Sequence, residues 1–343
     1  MMTPPHNYLA VIKVVGIGGG GVNAVNRMID AGLATAENAI FDLDLHAVMH
    51  WGHHPVLEKH YVPTRSQRAR SVLTFFAQDT GTHNLVYANA DLAKATQSRE
   101  VIAFCDHWKA ASGTDPAMLI MDQKVTTHAV LGELDARGIR FLTLRMRSAA
   151  LMKHIDALTG KDFTSVTLDR PGRFNRPKVH QATGIRLTDY PGTVRQLVIT
   201  GLGRDTPTVI ITNDHDLSVK HPIEHYARRM TIEQRLAEII QAFHTDALSS
   251  TVNLNVDLDI MLCVLAQALT AALRNRLPGY PNTPPDVPQR RFLETPGTIT
   301  TTSDSITVRL DRRTYSPVLR QADLPDATPV PWWGNRTLRF EFK

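Results

Sequence analysis

The chain has 343 residues, 43% of them apolar, with 38 Lys and Arg against 33 Asp and Glu, a formal net charge of +5. That suffices for a large core in two domains, or in one domain with a long insertion, and the slight basic excess permits a nucleic-acid partner without requiring one. With no apolar run reaching the ~18 residues of a membrane span and no basic-then-apolar leader, the expectation is a cytoplasmic protein without a membrane partner.

The chain opens on a β-branched run, Tyr8 to Val15, followed by the glycine turn Gly16-Ile-Gly-Gly-Gly-Gly21 and a short helix from Val22 that glycine ends at Gly32. Strand, glycine turn and helix form a phosphate cradle in principle, because glycines let backbone N–H groups approach oxygens and a helix N-terminus favours anions. Gly16, Gly18 and Gly21 satisfy G-x-G-x-x-G, but no acidic residue after a clear second strand completes a dinucleotide site.

From Ala39 to Val48 the pattern alternates, so one strand carries Asp42, Asp44 and His46 on one face and Phe41, Leu43 and Leu45 on the other. Residues 49–70 read as a polar connection ending in the basic cluster Arg65, Arg68 and Arg70. Runs at 71–78 and 84–90 read as hairpin strands. Residues 96–111 read as an amphipathic helix with Val101, Phe104, Cys105 and Trp108 on its stripe. Met118-Leu-Ile-Met-Asp122 is a continuously apolar strand with an acid at its end, expected at the centre of a sheet. A helix at 126–137, stopped by Gly138, and a strand at 139–146 follow, giving the order βββαβαβ. Cys105 and Cys263 both fall in apolar helical segments and read as reduced core residues.

Residues 147–218 hold short strand-like runs and basic loops that include Arg173, Arg176 and Lys178, and read as an inserted, mostly β segment. The stretch from Tyr226 to Phe243 has neither Gly nor Pro, and Ile232, Leu236, Ile239, Ile240 and Phe243 recur at helical spacing. Arg229 and Glu233 lie one turn apart on that helix. The plain reading is an i,i+4 surface pair worth a few tenths of a kcal/mol. A second, strongly apolar helix is expected over 256–277. A linker-like stretch (281–288) and a β-containing tail follow, in which Trp332-Trp333 reads as a cap on a sheet or as a stacking surface for bases. The expected segments are thus 1–37, 38–146, 147–218, 219–280 and 281–343. The histidines His50, His53 and His54 lack the spacing of a zinc site.

Two resemblances follow. Residues 2–33 resemble the amino terminus of the tubulin-like cell-division GTPase FtsZ. That family's glycine- and threonine-rich phosphate loop appears nowhere downstream, so the resemblance implies at most a GTP-binding fragment without GTPase activity. Residues 38–343 resemble the DDE transposases of bacterial insertion elements, on Asp44-Leu-His46, Leu-Ile-Met-Asp122, and Tyr226-x2-Arg229-x3-Glu233. Where such families often carry a lysine seven positions beyond the glutamate, this chain has Ile240.

The second resemblance implies a ribonuclease-H-like α/β core, a mixed sheet with helices, interrupted by the β insertion. It further implies Asp44, Asp122 and Glu233 as catalytic carboxylates holding Mg²⁺ or Mn²⁺, with Asp42 as the competing first ligand. The activity implied is DNA cleavage at element ends and strand transfer to target DNA by a homodimer. Two metal ions roughly 3.5–4 Å apart would serve the attacking and leaving oxygens. Arg229 would position a phosphate or hold the carboxylate of Glu233. Arg65, Arg68, Arg70, Arg173, Arg176 and Lys178 would contact the DNA backbone. An amino-terminal DNA-reading segment is also expected ahead of the first acid. The FtsZ-like fragment stands there instead, which implies weakened end recognition and leaves a truncated, inactive chain as an open alternative.

Overall fold

β1 (Ile40–Met49) sets both faces of the main sheet by its alternation. In the computed structural model Phe41 and Leu43 are fully buried on one face, and Asp42 and Asp44 share the other. Residues 28–30, 32–35, 37–49, 58–62, 67–90, 92–170, 173–245 and 253–343 are described. The expected strand and glycine turn at 8–21, the cluster of His50, His53 and His54, and Arg65 lie outside the described residues. The chain divides into one unit of Met1–Arg235 with Thr245–Val264 and another of Leu236–His244 with Leu265–Lys343.

In the first unit, β1 pairs antiparallel with β3 (Gln67–Asp79) on one side and parallel with β5 (Met118–Met121) on the other. β6 (Arg140–Leu144) continues the parallel set beyond β5. The outer edge of β3 is shared: its first residues pair with β2 (Lys59–Val62) and its later ones with β4 (Leu85–Asn89). Helix α1 (Glu100–Ser112) forms as its spacing predicts, burying Val101, Phe104, Cys105 and Trp108 and ending at Gly113, whose φ of 84° a side chain would strain. Its aromatic stripe lies on β1, with the Phe41 ring 5.0 Å from Phe104 and 4.6 Å from Trp108. Helix α2 (His128–Ala136) links β5 to β6, its first turn capped by the Thr127 hydroxyl accepting from the Val130 N–H.

Three sequence expectations change here. Residues 59–62 and 67–70 are a paired strand segment, so Arg68 and Arg70 lie in β3 and not in a loop. The pairing carries β3 four residues beyond Ser71, the partner of Met49 at the end of β1, which the polar composition of 49–70 concealed. Residues 147–218 are β-rich as expected, but their strands extend the main sheet and do not form a body of their own. β7 (Thr164–Ser165), β8 (Lys178–Ile185), β9 (Val194–Thr200) and β10 (Thr208–Thr212) add on beside β6, in the order β6-β10-β9-β8-β7. The buried runs of β9 and β10 explain it, since Leu197, Ile199 and Ile210 need covering and find it in one core with Met118, Ile120 and Leu142. Helix α3 (Ala149–Asp156) packs Leu151 and Ile155 against Val198 and Val209 on the opposite face. Third, 37/38 is not a packing boundary: Met28 and Ala34 are buried, and the Leu33 carbonyl accepts from the Thr82 hydroxyl at 3.0 Å and Asn84 Nδ2 at 2.9 Å. The glycine ending the first helix is seen, with Gly32 at φ 68°.

The helix expected from Tyr226 to Phe243 is divided at Arg229 into α4 (Lys220–Arg228) and α5 (Met230–Phe243). The Arg229 N–H is shared between the carbonyls of His225 and Tyr226, at 3.2 and 3.3 Å, a local tightening that composition does not announce. Ile223 of α4 packs into the core over Ile120 and Leu142, with Tyr226 against its margin. Helix α6 (Asn253–Arg276) corrects the expectation about apolar runs: its Val256–Arg276 portion is, at 21 residues and mean hydropathy 1.8, long and apolar enough to cross a membrane. Reading each polar residue as an interruption hid it, because Asp257, Asp259 and Gln267 are too few to break the average. In the fold Val256, Ile260 and Val264 are buried, and the Asp257 carboxylate accepts from the Ala90 N–H at 2.9 Å.

The second unit holds the tail. Strands β11 (Gly297–Thr301), β12 (Ser305–Leu310), β13 (Thr328–Val330) and β14 (Arg336–Phe342) form a four-stranded sheet in the order β11-β12-β14-β13. Leu277, Phe292, Leu319 and Ala322 make its core, and the buried Arg274 pairs with Glu238 and donates to the Thr283 carbonyl at 2.7 Å. Trp332 is 80% exposed, which is not how a sheet cap behaves.

Candidate active site

Asp42 stands opposite Ile120 in the parallel register, and therefore shares the sheet face on which α4 lies. Across the antiparallel ladder it faces Gln78. Gln78 is fully buried; its Nε2 donates to the His83 carbonyl at 3.0 Å, and its Oε1 accepts from the Thr231 hydroxyl at 3.2 Å. Arg235 Nε donates to the same carbonyl at 3.1 Å. These bonds tie the start of α5 to the β3–β4 turn, and so bring Arg229 over β1.

There Arg229 Nη2 donates to Asp44 Oδ1 at 2.7 Å, while Nη1 lies 3.9 Å from Glu233 Oε1. The arginine side chain is 9% exposed, Asp44 19% and Glu233 56%. The expected choice between phosphate and Glu233 thus meets a third partner, Asp44, to which Arg229 is closest. Asp122 follows directly on β5, the strand next to β1, its Oδ1 accepting from the Gln123 N–H at 2.8 Å. The parallel register places Asp42 beside Ile120 and Leu43 beside Met121, so Asp44 and Asp122 are the next residues along the two segments beyond the last pair.

The electrostatics reflect this crowding. Burial pushes the carboxyl of Asp42 up to about 7, with Arg229 opposing and Asp44 reinforcing the rise. Asp44 is raised too, first by burial; Arg229 counteracts, and the charges of Glu233 and Asp122 add to it. Burial works against the charge on Arg229, but Asp44, Tyr226, Asp122 and Asp42 outweigh it and hold its pKa up. Tyr226 is pushed up to about 12 by burial. His46, on the same face of β1, is lowered by burial alone. Two buried atoms in this cluster have no hydrogen-bond partner, Asp42 Oδ1 and Arg229 Nε.

Among the described residues no three His, Cys, Asp or Glu side chains are gathered closely enough to cage a metal ion. The donor set still fits a hard divalent cation in kind, for it offers buried carboxylate oxygens, one of them unpartnered. Mg²⁺ in particular binds through one or two carboxylates and keeps several waters.

The other basic residues expected at the site are elsewhere. Arg70 lies six positions along β3 from the residue paired with Asp44, about 20 Å at strand rise, and Arg68 lies beyond it. Arg173 and Arg176 are exposed in the turn before β8, and Lys178 opens that strand, five strands from β1 or about 24 Å. Among the described candidates only Arg229 is brought to the acids. Sequence reasoning ranked Asp42 below Asp44, and missed that it is the more deeply buried of the two, at 1% exposure. No local signal marks it, since Asp42 is only the third residue of β1 and its burial comes from the helix laid over that face.

No family model matches the chain. Among solved structures, it is similar to Argonaute of Marinitoga piezophila, in complex with 5' OH guide RNA and target DNA, at 9% identity and a TM-score of 0.22. That match covers 68% of this chain and 30% of the Argonaute, so the chain spans under a third of that protein's length.

Proposed function

We propose that the chain is a cation-dependent DNA phosphotransferase of the DDE transposase kind, on a ribonuclease-H-like core. The observation that carries the reading is the placement of Asp44 on β1 beside the end of β5, which Asp122 follows, under a helix junction that brings Arg229 to Asp44 and Glu233 within 3.9 Å of Arg229. The strand order β4-β3-β1-β5-β6, with β3 alone reversed among its central members, supports the core assignment.

Asp44, Asp122 and Glu233 would hold Mg²⁺ or Mn²⁺, which when bound neutralises charge on the phosphate and acidifies a hydroxyl nucleophile. The protein's own contribution is orientation. The sheet fixes the two aspartates, α5 presents the exposed Glu233 at the rim, and Arg229 has a planar fork suited to a phosphate oxygen. The partners on this reading are element ends and target DNA, engaged by a homodimer. The GTP-binding alternative rests on residues 2–33, nearly all outside the described part, and no observation favours it.

The test is a plasmid nicking and end-joining assay with Mg²⁺ or Mn²⁺. Nicking that requires the cation and falls to background in D44N, D122N and E233Q is the expected result. Cation-independent nicking, or full activity in D122N, would overturn the reading.

A further inference from the structure

We infer that Asp42 is a cation-holding residue alongside Asp44, and that Arg229 is the built-in counter-ion which a divalent cation must displace. The inference rests on the cation-dependent reading above and adds to it a fourth carboxylate and a competitor.

Asp42 is 1% exposed and Arg229 7%. Burying ionic groups is tolerated when each is paired and hydrogen-bonded, and costly when a polar atom is left over. Here the pairing is incomplete on both sides. Arg229 gives Nη2 to Asp44, its Nη1 is 3.9 Å from Glu233, and its Nε has no partner. Asp42 keeps an unpartnered Oδ1 on the strand face it shares with Asp44. One guanidinium therefore serves a cluster of carboxylates without satisfying it.

A small hydrated dication has the opposite properties. It carries twice the charge, takes oxygen ligands from several directions, and brings waters for the oxygens it does not reach directly. Seated on Asp42 and Asp44, it would supply the partner that Asp42 Oδ1 lacks. Arg229 would then be released from Asp44 while staying one helical turn from Glu233, free to take a phosphate oxygen. Two cations competing for one site must lower each other's occupancy, so removing the guanidinium raises the affinity for the metal.

The measurement is a Mn²⁺ titration of the chelator-stripped full chain without DNA, read by loss of the free-ion magnetic resonance signal. R229Q is expected to bind Mn²⁺ about ten-fold more tightly than the unmodified chain, within the usual range for linked sites. D42N is expected to weaken binding about ten-fold, in both the native and the R229Q background. Equal or weaker binding by R229Q, an unchanged D42N, or no Mn²⁺ binding by any form would overturn the inference.

A second measurement needs no variant: arginine-directed labelling with phenylglyoxal, quantified at Arg229 by peptide mass spectrometry. Labelling should rise when Mn²⁺ is added, and an unchanged yield would overturn the displacement. Failure here is separable from failure of the functional reading. Nicking without an Arg229 effect on Mn²⁺ affinity removes only the counter-ion, and the affinity shift without nicking removes only the phosphotransferase.

Discussion

Arg229 and Asp44, 185 positions apart in sequence, meet at 2.7 Å over the middle of β1. The pair joins β1 to the junction of α4 and α5, so one ionic contact ties the segment that carries Glu233 to the strand that carries Asp44. Its strength lies in being nearly dry, with the arginine side chain 9% exposed.

Removing one partner of such a pair strands the other. In chelator, Arg229→Met should destabilise the fold by about 3 kcal/mol, the scale seen when half of a buried ion pair is deleted. Urea denaturation followed by circular dichroism gives the number, and a loss below ~1 kcal/mol would place the pair in the weak surface class.

The packing of α1 on β1 gives a larger and simpler effect. Trp108 is 1% exposed and lies edge-on to Phe41 at 4.6 Å. Trp108→Ala should cost about 3–5 kcal/mol through lost contacts and a cavity. The same urea midpoint reads it, with an unchanged slope showing that two-state behaviour survives.

Glu100 is a buried carboxylate held by named donors, the Tyr87 hydroxyl at 2.6 Å and Asn89 Nδ2 at 2.8 Å. Tyr87→Phe removes one of them and leaves the ring, which stacks near Phe75 and Phe104. The expected cost is about 1–3 kcal/mol, the penalty of an under-satisfied buried acceptor. A thermal melt near neutral pH that does not move would contradict it.

His107 sits against Tyr87 at 5.0 Å, and burial lowers its pKa from the usual 6.5. The folded state therefore prefers the neutral ring, and below the unfolded pKa the unfolded chain takes up more protons. Its contribution to stability is present above pH 6.5 and is lost as the pH falls through the lowered folded value. His107→Gln should flatten the acid side of the stability curve between neutrality and pH 5, measured by melting in matched buffers.

Arg70 stands about 20 Å and Arg68 about 27 Å along β3 from the residue opposite Asp44. If they touch DNA they do so as phosphate contacts remote from the chemistry. R68A/R70A should weaken DNA binding uniformly across sequences and lower the salt slope by about one per lost contact. Its Mn²⁺ affinity should not change. Anisotropy at two salt concentrations, with shuffled competitors, reads both.

Much of this architecture was legible in the residues. The alternation of 39–48 gave β1 its two faces, the four-residue spacing of Val101, Cys105 and their neighbours gave α1, and the uninterrupted apolar run before Asp122 gave a central strand. What stayed hidden depends on contacts distant in sequence. Nothing near Thr208 says that its strand will add to β6, and nothing near Arg229 says that it will reach β1 before it reaches Glu233 one turn away. The pairing of 59–62 with 67–70 was hidden for a local reason, since a strand segment that is not packed on both faces keeps a polar sequence, and polarity reads as loop. Asp42 was under-weighted because burial of a whole strand face is decided by the helix laid over it, not by the strand.

Asp79, fully buried at the end of β3, accepts from the Thr35 N–H at 2.7 Å, the Thr35 hydroxyl at 3.0 and 2.8 Å, the Gly81 N–H at 3.0 Å and the Thr82 hydroxyl at 2.9 Å. A side chain at Gly81 would collide with Thr35, so the two segments are fitted to each other. The segment ahead of β1, residues 32–35, is thereby clasped by the β3–β4 turn. A cut placed just ahead of β1 would take the Thr35 donors away from the buried Asp79, so this short segment is part of what holds the β3–β4 turn in place.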